Sequence, residues 1–290
     1  ITLTAVWTPI EYTITYVLNG GNNSASNPTR YTVTTASFTL AAPQRTGYRF
    51  LGWTGSNGTT PMLSVKVPTT APSNLSYTAN WEAIRYTITY DADEFVDLAG
   101  LPTGYTVEDA KIALGEQTRE HYRFAWQIDG KTVTAIDTSL ARNVTVKAVW
   151  TPVVYTITYD LDGGTNADSN PVSFTVESNT LTLAAPTKIG YTVLGWTWDD
   201  GEEPILSPEI VTGSFGNRTY TAHWRLNRYT FTFVSNGGST VASVTQDYGT
   251  TISAPEAPTF AGKSFAGWYS DATLQTPYTF STVPAEDVTL

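Results

Sequence analysis

A five-residue segment, Tyr-Thr-Ile-Thr-Tyr, recurs along the chain and constrains the fold more than any other feature. It stands at residues 12–16, 86–90 and 155–159, and in altered form at 229–233. Successive copies are 74, 69 and 74 residues apart, and a Trp precedes each copy by five residues. Because a constant period marks a repeat architecture, the 290 residues are predicted to form about four copies of one small module.

The composition favours strands and excludes several classes of site. Thr, Val, Ile and Tyr dominate the periodic segments, as is typical of strands. Aromatic residues make up 13% of the chain, and their large side chains can bury enough area to form a core in such small modules. The absence of Cys excludes disulfides and thiolate metal sites. A net charge of −10 with 16 basic residues disfavours nucleic acid as a partner. No apolar run is long enough to span a bilayer, so no membrane insertion is expected in this sequence.

Overlaying the copies predicts where each repeat begins and ends. Each repeat should contain a first strand that runs into a turn, a second strand, a third strand and a last strand closed by Trp. Because the sequence begins and ends inside a repeat, we expect it to be part of a longer chain. The predicted segments are the tail strand of a preceding repeat (1–9), repeat 1 (10–81), repeat 2 (82–150), repeat 3 (151–224) and repeat 4 (225–290, last strand truncated).

Turn glycines and core aromatic residues define the repeat signature. Gly readily adopts the positive φ angles that turns require, and Trp at fixed positions is typical of a core. We predict that Tyr12, Ile14 and Tyr16 face this core, because alternate residues of a strand share a face. The signature positions are Tyr12, Gly20, Gly21, Gly47, Trp53, Trp81, Trp150, Tyr155, Gly163, Gly164, Gly190, Trp196, Trp224, Gly262 and Trp268.

Repeat 2 departs from this pattern. Asp93 and Glu94 stand where the other repeats have a Gly pair. Residues 108–114 contain Ala and Leu, which favour helices, so this segment is predicted to form a short helix.

The linkers between repeats have constant length. Four residues separate each closing Trp from the next first strand, and none of these linkers is rich in Gly or Ser. Flexible coil requires such a composition, so the sequence predicts a semi-rigid array with controlled spacing.

The combined motif resembles the Listeria–Bacteroides repeat, the B-repeat of internalin-type bacterial surface proteins. The motif consists of Tyr-x-Ile-Thr-Tyr, Gly-Gly, Asn-Pro, Gly-Tyr-x-Phe-x-Gly-Trp and Ala-x-Trp. Repeat 1 carries all of it, repeat 3 carries it with Val193 in place of Phe, and repeat 4 carries Gly-Gly and Gly-Trp. The resemblance implies a β-rich (α+β) fold, a tandem array of small β-grasp-like modules in which a mixed sheet surrounds a short helix or helical loop. It implies an extracellular location, at the cell surface or secreted, and roles in adhesion or as a stalk. It supplies no catalytic residues and no cofactor.

Candidate catalytic and metal-binding residues are few. His121 and His223 are the two histidines, they lie in different repeats, and we interpret both as structural. The acidic groups at 91–94 and 160–162 are also candidates for oxygen ligands. Hard cations such as Ca²⁺ need several converging oxygens, and the densest acidic run offers weak candidates in the variable loop after Trp196. These four are Asp199, Asp200, Glu202 and Glu203.

Other features could serve recognition or modification. Trp198 lies outside the shared pattern, and we predict that it is exposed and available for recognition. Asn-x-Ser/Thr triplets are expected to occur by chance in a chain rich in Asn and Thr, and in a bacterial protein we do not expect them to be glycosylated. They begin at Asn22, Asn57, Asn74, Asn143 and Asn217.

The leading hypothesis is therefore a non-enzymatic stalk or adhesive region of a bacterial surface or secreted protein. The first alternative is a ligand-binding module for a host or neighbouring-cell surface protein or glycan, and the second is an accessory region of a secreted enzyme. An exposed aromatic or apolar patch would favour the first alternative. The sequence leaves the oligomeric state open.

Overall fold

The computed structural model describes residues 1–70, 73–199, 201 and 203–290. The chain forms two compact units, Ile1–Thr151 and Pro152–Leu290. The structure is β-rich, as the composition predicts. In the described residues the helical structure consists of one 3₁₀ turn, Thr138–Leu140, and no helix there is long and apolar enough to cross a membrane.

Repeat 1 forms a mixed five-stranded sheet and a small two-stranded one. The large sheet has the order β2-β1-β7-β4-β5, and β3 pairs with β6. A β-bulge between Phe50 and Gly52 directs the rings of Phe50 and Trp53, which are 5.4 Å apart, to the same core. The strands are β1 (Tyr12–Val17), β2 (Arg30–Tyr31), β3 (Phe38–Thr39), β4 (Tyr48–Gly55), β5 (Gly58–Met62), β6 (Lys66–Val67) and β7 (Leu75–Ala83).

Repeat 2 has the same architecture despite its divergent sequence. Its large sheet has the order β12-β11-β14-β8-β9, and β10 pairs with β13. The strands are β8 (Tyr86–Asp91), β9 (Gly104–Tyr105), β10 (Ile112–Ala113), β11 (Tyr122–Ile128), β12 (Lys131–Val133), β13 (Ala135–Ile136) and β14 (Val144–Pro152).

The second unit contains repeats 3 and 4. Repeat 3 has a four-stranded sheet, β16-β15-β20-β18, and the pair β17-β19, whereas repeat 4 has a three-stranded sheet, β22-β21-β23. The strands are β15 (Tyr155–Asp160), β16 (Ser173–Phe174), β17 (Leu181–Thr182), β18 (Tyr191–Trp198), β19 (Glu209–Ile210), β20 (Arg218–Leu226), β21 (Arg228–Thr232), β22 (Val244–Asp247) and β23 (Val288–Thr289).

Each repeat has its own hydrophobic core, built from residues of that repeat. Trp53 and Trp196 are 0% exposed and Trp268 is 7% exposed. In β1, Ile14 is buried while Tyr12 and Tyr16 pack against the same core. The predicted assignment of these aromatic residues to the core is therefore confirmed.

The predicted helix at 108–114 is wrong, and the described residues show no helix per module. Ile112 and Ala113 instead pair antiparallel with Ile136 and Ala135. Ile136 is 0% exposed, so burial in a sheet outweighs the small intrinsic preference of Ala and Leu for helix. Between β4 and β7, repeat 1 also contains the short strands β5 and β6.

Two segments with strand-like sequences form no strand. Residues 1–11 belong to no strand and are exposed, with Trp7 89% exposed. The Gly262-to-Trp268 segment of repeat 4, predicted to be a third strand, has no ladder. In repeats 1 and 3 the third strand pairs with the last strand. In repeat 4 the last strand, β23, ends at Thr289, opposite the end of the first strand, β21.

Candidate functional site: the clamped strand pair and the joints

The first and last strands of every repeat lie side by side and run parallel. In repeat 1, β1 pairs with β7 from Ile14–Leu75 to Val17–Thr78. The equivalent pairs are β8–β14, β15–β20 and β21–β23. The preceding linker enters at the start of the first strand, and the following linker leaves at the end of the last strand. A chain pulled through its linkers would therefore slide the two strands past one another.

A side-chain oxygen joins the two strands at the entry end of each pair. Asn74 Oδ1 accepts from the backbone N–H of Thr13 at 3.0 Å, and this bond recurs in all four repeats. We call these bonds the entry clamps. The other three are Asn143 Oδ1 to Thr87 N (2.9 Å), Asn217 Oδ1 to Thr156 N (2.9 Å) and Asp287 Oδ1 to Thr230 N (2.8 Å).

The closing Trp joins the two strands at the exit end. The indole N–H of Trp81 donates to the carbonyl of Leu18 at 2.9 Å, and Trp224 donates likewise to Leu161 at 3.0 Å. In repeat 2, Trp150 donates to the Asp93 carboxylate at 3.2 Å. In the strand register Asp93 corresponds to Asn19, the residue before the Gly pair, so the acceptor in this repeat is a side chain one residue further along the turn. We call these three bonds the exit clamps.

A tyrosine hydroxyl anchors the first strand to the Pro before the second strand. Tyr16 donates to the Pro28 carbonyl at 2.9 Å, and Tyr159 donates to the Pro171 carbonyl at 2.7 Å. Tyr90 makes the same bond in repeat 2. Burial, followed by the neighbouring tyrosine, raises the pKa of Tyr16 and of Tyr159 to about 12. The anchor therefore stays protonated well above neutral pH.

The Asn of each Asn-Pro motif is a buried amide. Asn27 accepts from the Ala41 N–H at 2.8 Å and donates to the Ala41 carbonyl at 2.9 Å. Asn170 makes the same two bonds with Ala184. A buried amide needs such partners, so these residues hold the polar loop after the first strand against the core.

Within the first unit, the joint between repeats 1 and 2 is packed. The Ile84 N–H donates to the Gly47 carbonyl at 2.9 Å. A Cβ at Gly47 would lie 2.3 Å from Val107 Cγ1, so no larger residue fits there. The Tyr48 hydroxyl also donates to Glu108 at 3.1 Å.

Within the second unit, the joint between repeats 3 and 4 uses the equivalent positions. The Asn227 N–H donates to the Gly190 carbonyl at 3.0 Å, and the Tyr248 N–H donates to the Asn227 carbonyl at 2.9 Å. A Cβ at Gly190 would lie 2.0 Å from Tyr248 Cδ1. In both joints the last strand continues past its Trp, so only one or two linker residues lie outside strands.

The histidines lie in separate units. His121 stands at the position of Gly47 and Gly190 and has a positive φ of 65°, and its Nε2 is 3.5 Å from Glu120. His223 shares a 2.8 Å hydrogen bond with Thr197.

The acidic candidates are dispersed. Asp91 pairs with Lys147 at 3.6 Å, and Asp162 pairs with Lys188 at 3.1 Å. Asp199 and Glu203 lie on the loop after β18. Asp200 and Glu202 are outside the described residues. Among the residues that the structure describes, no three His, Asp or Glu side chains are grouped to hold a metal ion.

Trp198 is half-buried rather than exposed. Strand β18 extends through residue 198, and residues two apart share a face of a strand. Trp198 therefore follows Trp196 towards the core and packs 5.5 Å from Tyr220. The predicted recognition role rested on the position of Trp198 outside the pattern that the repeats share.

Comparison with known proteins places this architecture in a family. The family model of the Listeria-Bacteroides repeat domain matches residues 12–76, 155–214 and 229–290. Two similar proteins of Evansella cellulosilytica are provisionally named membrane proteins. One is 31% identical over 73% of this chain, and the other, described as Gly-rich, is 25% identical over 97% of it. Internalin H of Listeria monocytogenes is 34% identical over 47% of this chain.

The matches cover only part of each relative. They span 32% of each Evansella protein and 24% of internalin H. The family model, by contrast, accounts for well over half of this chain. The chain therefore belongs to the Listeria-Bacteroides repeat family.

Proposed function

We propose that this chain is a non-enzymatic, load-bearing stalk that projects or links functional domains of a bacterial surface or secreted protein. The observation that carries the proposal is the parallel strand pair between the two linkers of each repeat, joined at its entry end in all four repeats. The relatedness to internalin H and to proteins named as membrane proteins supports an extracellular, surface-associated location.

The mechanical reason lies in the direction of the load. Tension enters at the start of the first strand and leaves at the end of the last, so it acts along both strands in opposite directions. The hydrogen bonds between them must then break together instead of one after another. Each backbone bond contributes about 1 kcal/mol net, so simultaneous rupture needs far more force than sequential peeling.

The packed joints support a role in spacing. The backbone bonds from Ile84 to Gly47 and from Asn227 to Gly190 tie the linker of each joint to the repeat before it. A tether with these bonds keeps its neighbours at a fixed separation better than a flexible coil. We also assign each repeat, within the boundaries given above, to a β-grasp-like module, because parallel first and last strands lie within a mixed sheet.

Adhesion to a host or neighbouring-cell surface protein or glycan is the second function that we consider. Such a role would need exposed aromatic residues. In the described structure eight of the nine Trp residues are buried or half-buried. This burial supports a role of the Trp side chains in packing.

Single-molecule pulling of the 290-residue chain from its two ends tests the proposal. We expect separate unfolding events, each releasing roughly 200 Å or more of chain, since an extended residue spans about 3.5 Å. The forces should exceed those of a module whose strands are peeled apart. Extension without resolved force peaks would refute load bearing, and binding to a glycan array or to host cells would favour adhesion.

A further inference from the structure

Repeat 1 contains a shallow groove in which a basic side chain lies among aromatic rings. The groove has a volume of about 320 Å³ and is lined by Gln44, Arg45, Tyr48, Phe50 and Trp81, among others. The Cζ atom of Arg45 lies 3.5 Å from the centroid of the Tyr48 ring. Stacking on a ring covers one face of a guanidinium and leaves the N–H groups around its edge to donate hydrogen bonds. The groove therefore combines a cation with an aromatic wall.

The basic side chain has the same place in repeat 3. A Cβ added to Gly20 would lie 3.4 Å from Arg45 Nε, and a Cβ added to Gly163 would lie 4.0 Å from Lys188 Cε. Both basic side chains thus extend over the turn glycine that follows the first strand. The two repeats can therefore be compared residue by residue at this place.

The neighbouring anion is present in repeat 3 and missing in repeat 1. Asp162, which precedes the turn glycine, pairs with Lys188 at 3.1 Å. The corresponding residue of repeat 1 is Asn19, whose amide donates to the Ala79 carbonyl at 3.0 Å. In the part of the chain that the structure describes, Arg45 forms no ion pair. Repeat 1 therefore keeps the cation and lacks the carboxylate that neutralises it in repeat 3.

Repeats 2 and 4 differ from repeat 1 at this place. In repeat 2, Arg119 Cζ lies 4.0 Å from the ring centroids of both Phe95 and Tyr122, so aromatic rings cover more of this guanidinium than of Arg45. In repeat 4 the corresponding residue is Phe260. Of the four places compared, repeat 1 thus has the arginine that is best placed to meet an anion from solution.

The charge of repeat 1 also differs from that of the other repeats. Repeat 1 has four basic residues and one acidic residue, a net charge of +3, whereas repeats 2, 3 and 4 have net charges of −4, −7 and −2. Two of its basic residues, Arg30 and Arg49, are paired with Glu11 and Glu82. Arg45 therefore lies in the repeat whose own charge attracts anions, although the whole chain is acidic.

We propose that this groove binds an acidic sugar, a single uronic acid residue of a surface glycan. The aromatic rings would pack against the apolar face of the sugar ring, and the Arg45 guanidinium would bind the carboxylate through two parallel N–H donors. The exposed amide of Gln44 is placed to bind a hydroxyl group. A volume of about 320 Å³ is small for a ligand pocket, so the site suits one sugar ring. This proposal does not rest on load bearing by the strand pairs.

The test is an NMR titration of the 290-residue chain with methyl β-glucuronide, read at the indole N–H of Trp81 and the backbone N–H of Tyr48. We expect saturable shifts with a dissociation constant of roughly a millimolar, as is typical of a ligand of this size. Methyl β-glucoside, which lacks the carboxylate, should bind about tenfold more weakly, because it forgoes the charged hydrogen bonds. Shifts that do not saturate, or equal affinity for the two sugars, would overturn the proposal.

Two variants of repeat 1 assign the binding to Arg45. Asn19→Asp introduces the carboxylate that repeat 3 has, and it should weaken glucuronide binding about tenfold by occupying the guanidinium. The turn accepts Asp, because Asp162 has a φ of 44° in the equivalent turn and Asn19 has a φ of 48°. Arg45→Gln should reduce the affinity for glucuronide to that for glucoside.

Ser64→Asp is the matched control, because it adds the same charge at an exposed residue of repeat 1 that does not line the groove. Its affinity for glucuronide should stay within about twofold of the wild type, since exposed charges are screened by salt. Equal loss of binding in Asn19→Asp and Ser64→Asp would contradict a site at Arg45. So would unchanged binding in Arg45→Gln, a test that holds even if Asn19→Asp is misfolded.

Discussion

At the scale of single residues, the most informative positions are those whose side chains join two strands. Asn74, Asn143, Asn217 and Asp287 occupy the same place before the last strand and make the same bond. From the sequence, three of them are read only as chance Asn-x-Ser/Thr triplets. Their shared position in the repeat could have identified these four residues, because each stands one residue before the start of the last strand.

Replacing Asn217 with Ala should weaken repeat 3. The Thr156 N–H would lose its acceptor at 2.9 Å, and we expect a loss of about 1 kcal/mol in the free energy of unfolding. Hydrogen exchange at the Thr156 amide should become faster. Asn179→Ala is a suitable control, because Asn179 is an exposed residue of the same repeat. Equal exchange rates in the two variants would argue against an entry clamp.

Alkaline pH should destabilise the chain through its buried tyrosines. The pKa values of Tyr16 and Tyr159 are raised to about 12, against about 10 in an unfolded chain. The folded state therefore holds protons that the unfolded state releases, so stability falls as the pH rises from about 10 to about 12. Below pH 10 these two groups add no pH dependence.

The double variant Tyr16→Phe, Tyr159→Phe tests this effect in urea titrations at pH 7 and pH 11. It should lose about 1 kcal/mol per hydrogen bond at pH 7, yet lose less than the wild type on going to pH 11. Repeat 4 already has Phe233 at this position. An unchanged pH dependence would contradict the assignment.

At the scale of elements, the sequence predicts the strands and turns that recur in every repeat. It does not predict the strands and contacts that depend on residues far along the chain. The alternation of residue types and the fixed spacing of the motifs predict the first strands, the turn glycines and the buried Trp of the third strand. The strand at Ile112 does not, because its partner Ile136 is 24 residues away and local propensity favours a helix. The packing of Gly47 on Val107, 60 residues on, is likewise invisible in a local pattern.

The joint of the second unit should be sensitive to Gly190→Ala. Gly190 has a φ of +77°, which costs an L-residue about 1–2 kcal/mol, and its new Cβ would also clash with Tyr248. Gly216 has a φ of +86° with nothing within 4 Å, so Gly216→Ala carries the backbone cost alone.

Urea unfolding and hydrogen exchange at the Asn227 amide distinguish these two effects. Gly190→Ala should destabilise by at least about 1 kcal/mol more than Gly216→Ala, as overpacking does. It should also accelerate exchange at Asn227, whose N–H donates to Gly190. If both variants behave alike, the contact with Tyr248 does not hold the joint.

At the scale of the whole molecule, the chain consists of four small repeats with short linkers between them, and in the proposed stalk each repeat carries load through one parallel strand pair. The repeat, its β-rich content and its family were predictable, because several fixed-spacing motifs coincide. The four entry clamps and the three exit clamps were not predictable, since they depend on which side chain reaches which partner on the other strand or the turn after it. The central claim is that load shears these pairs.

Pulling repeat 1 in two directions tests that claim most directly. The chain has no Cys, so two introduced cysteines give unique handles. Glu11→Cys with Glu82→Cys loads β1 and β7 at opposite ends and shears them, whereas Glu11→Cys with Ser73→Cys loads them at the same end and peels them apart. We predict that the shearing pair unfolds at a several-fold higher force. Equal forces in the two directions would contradict the account.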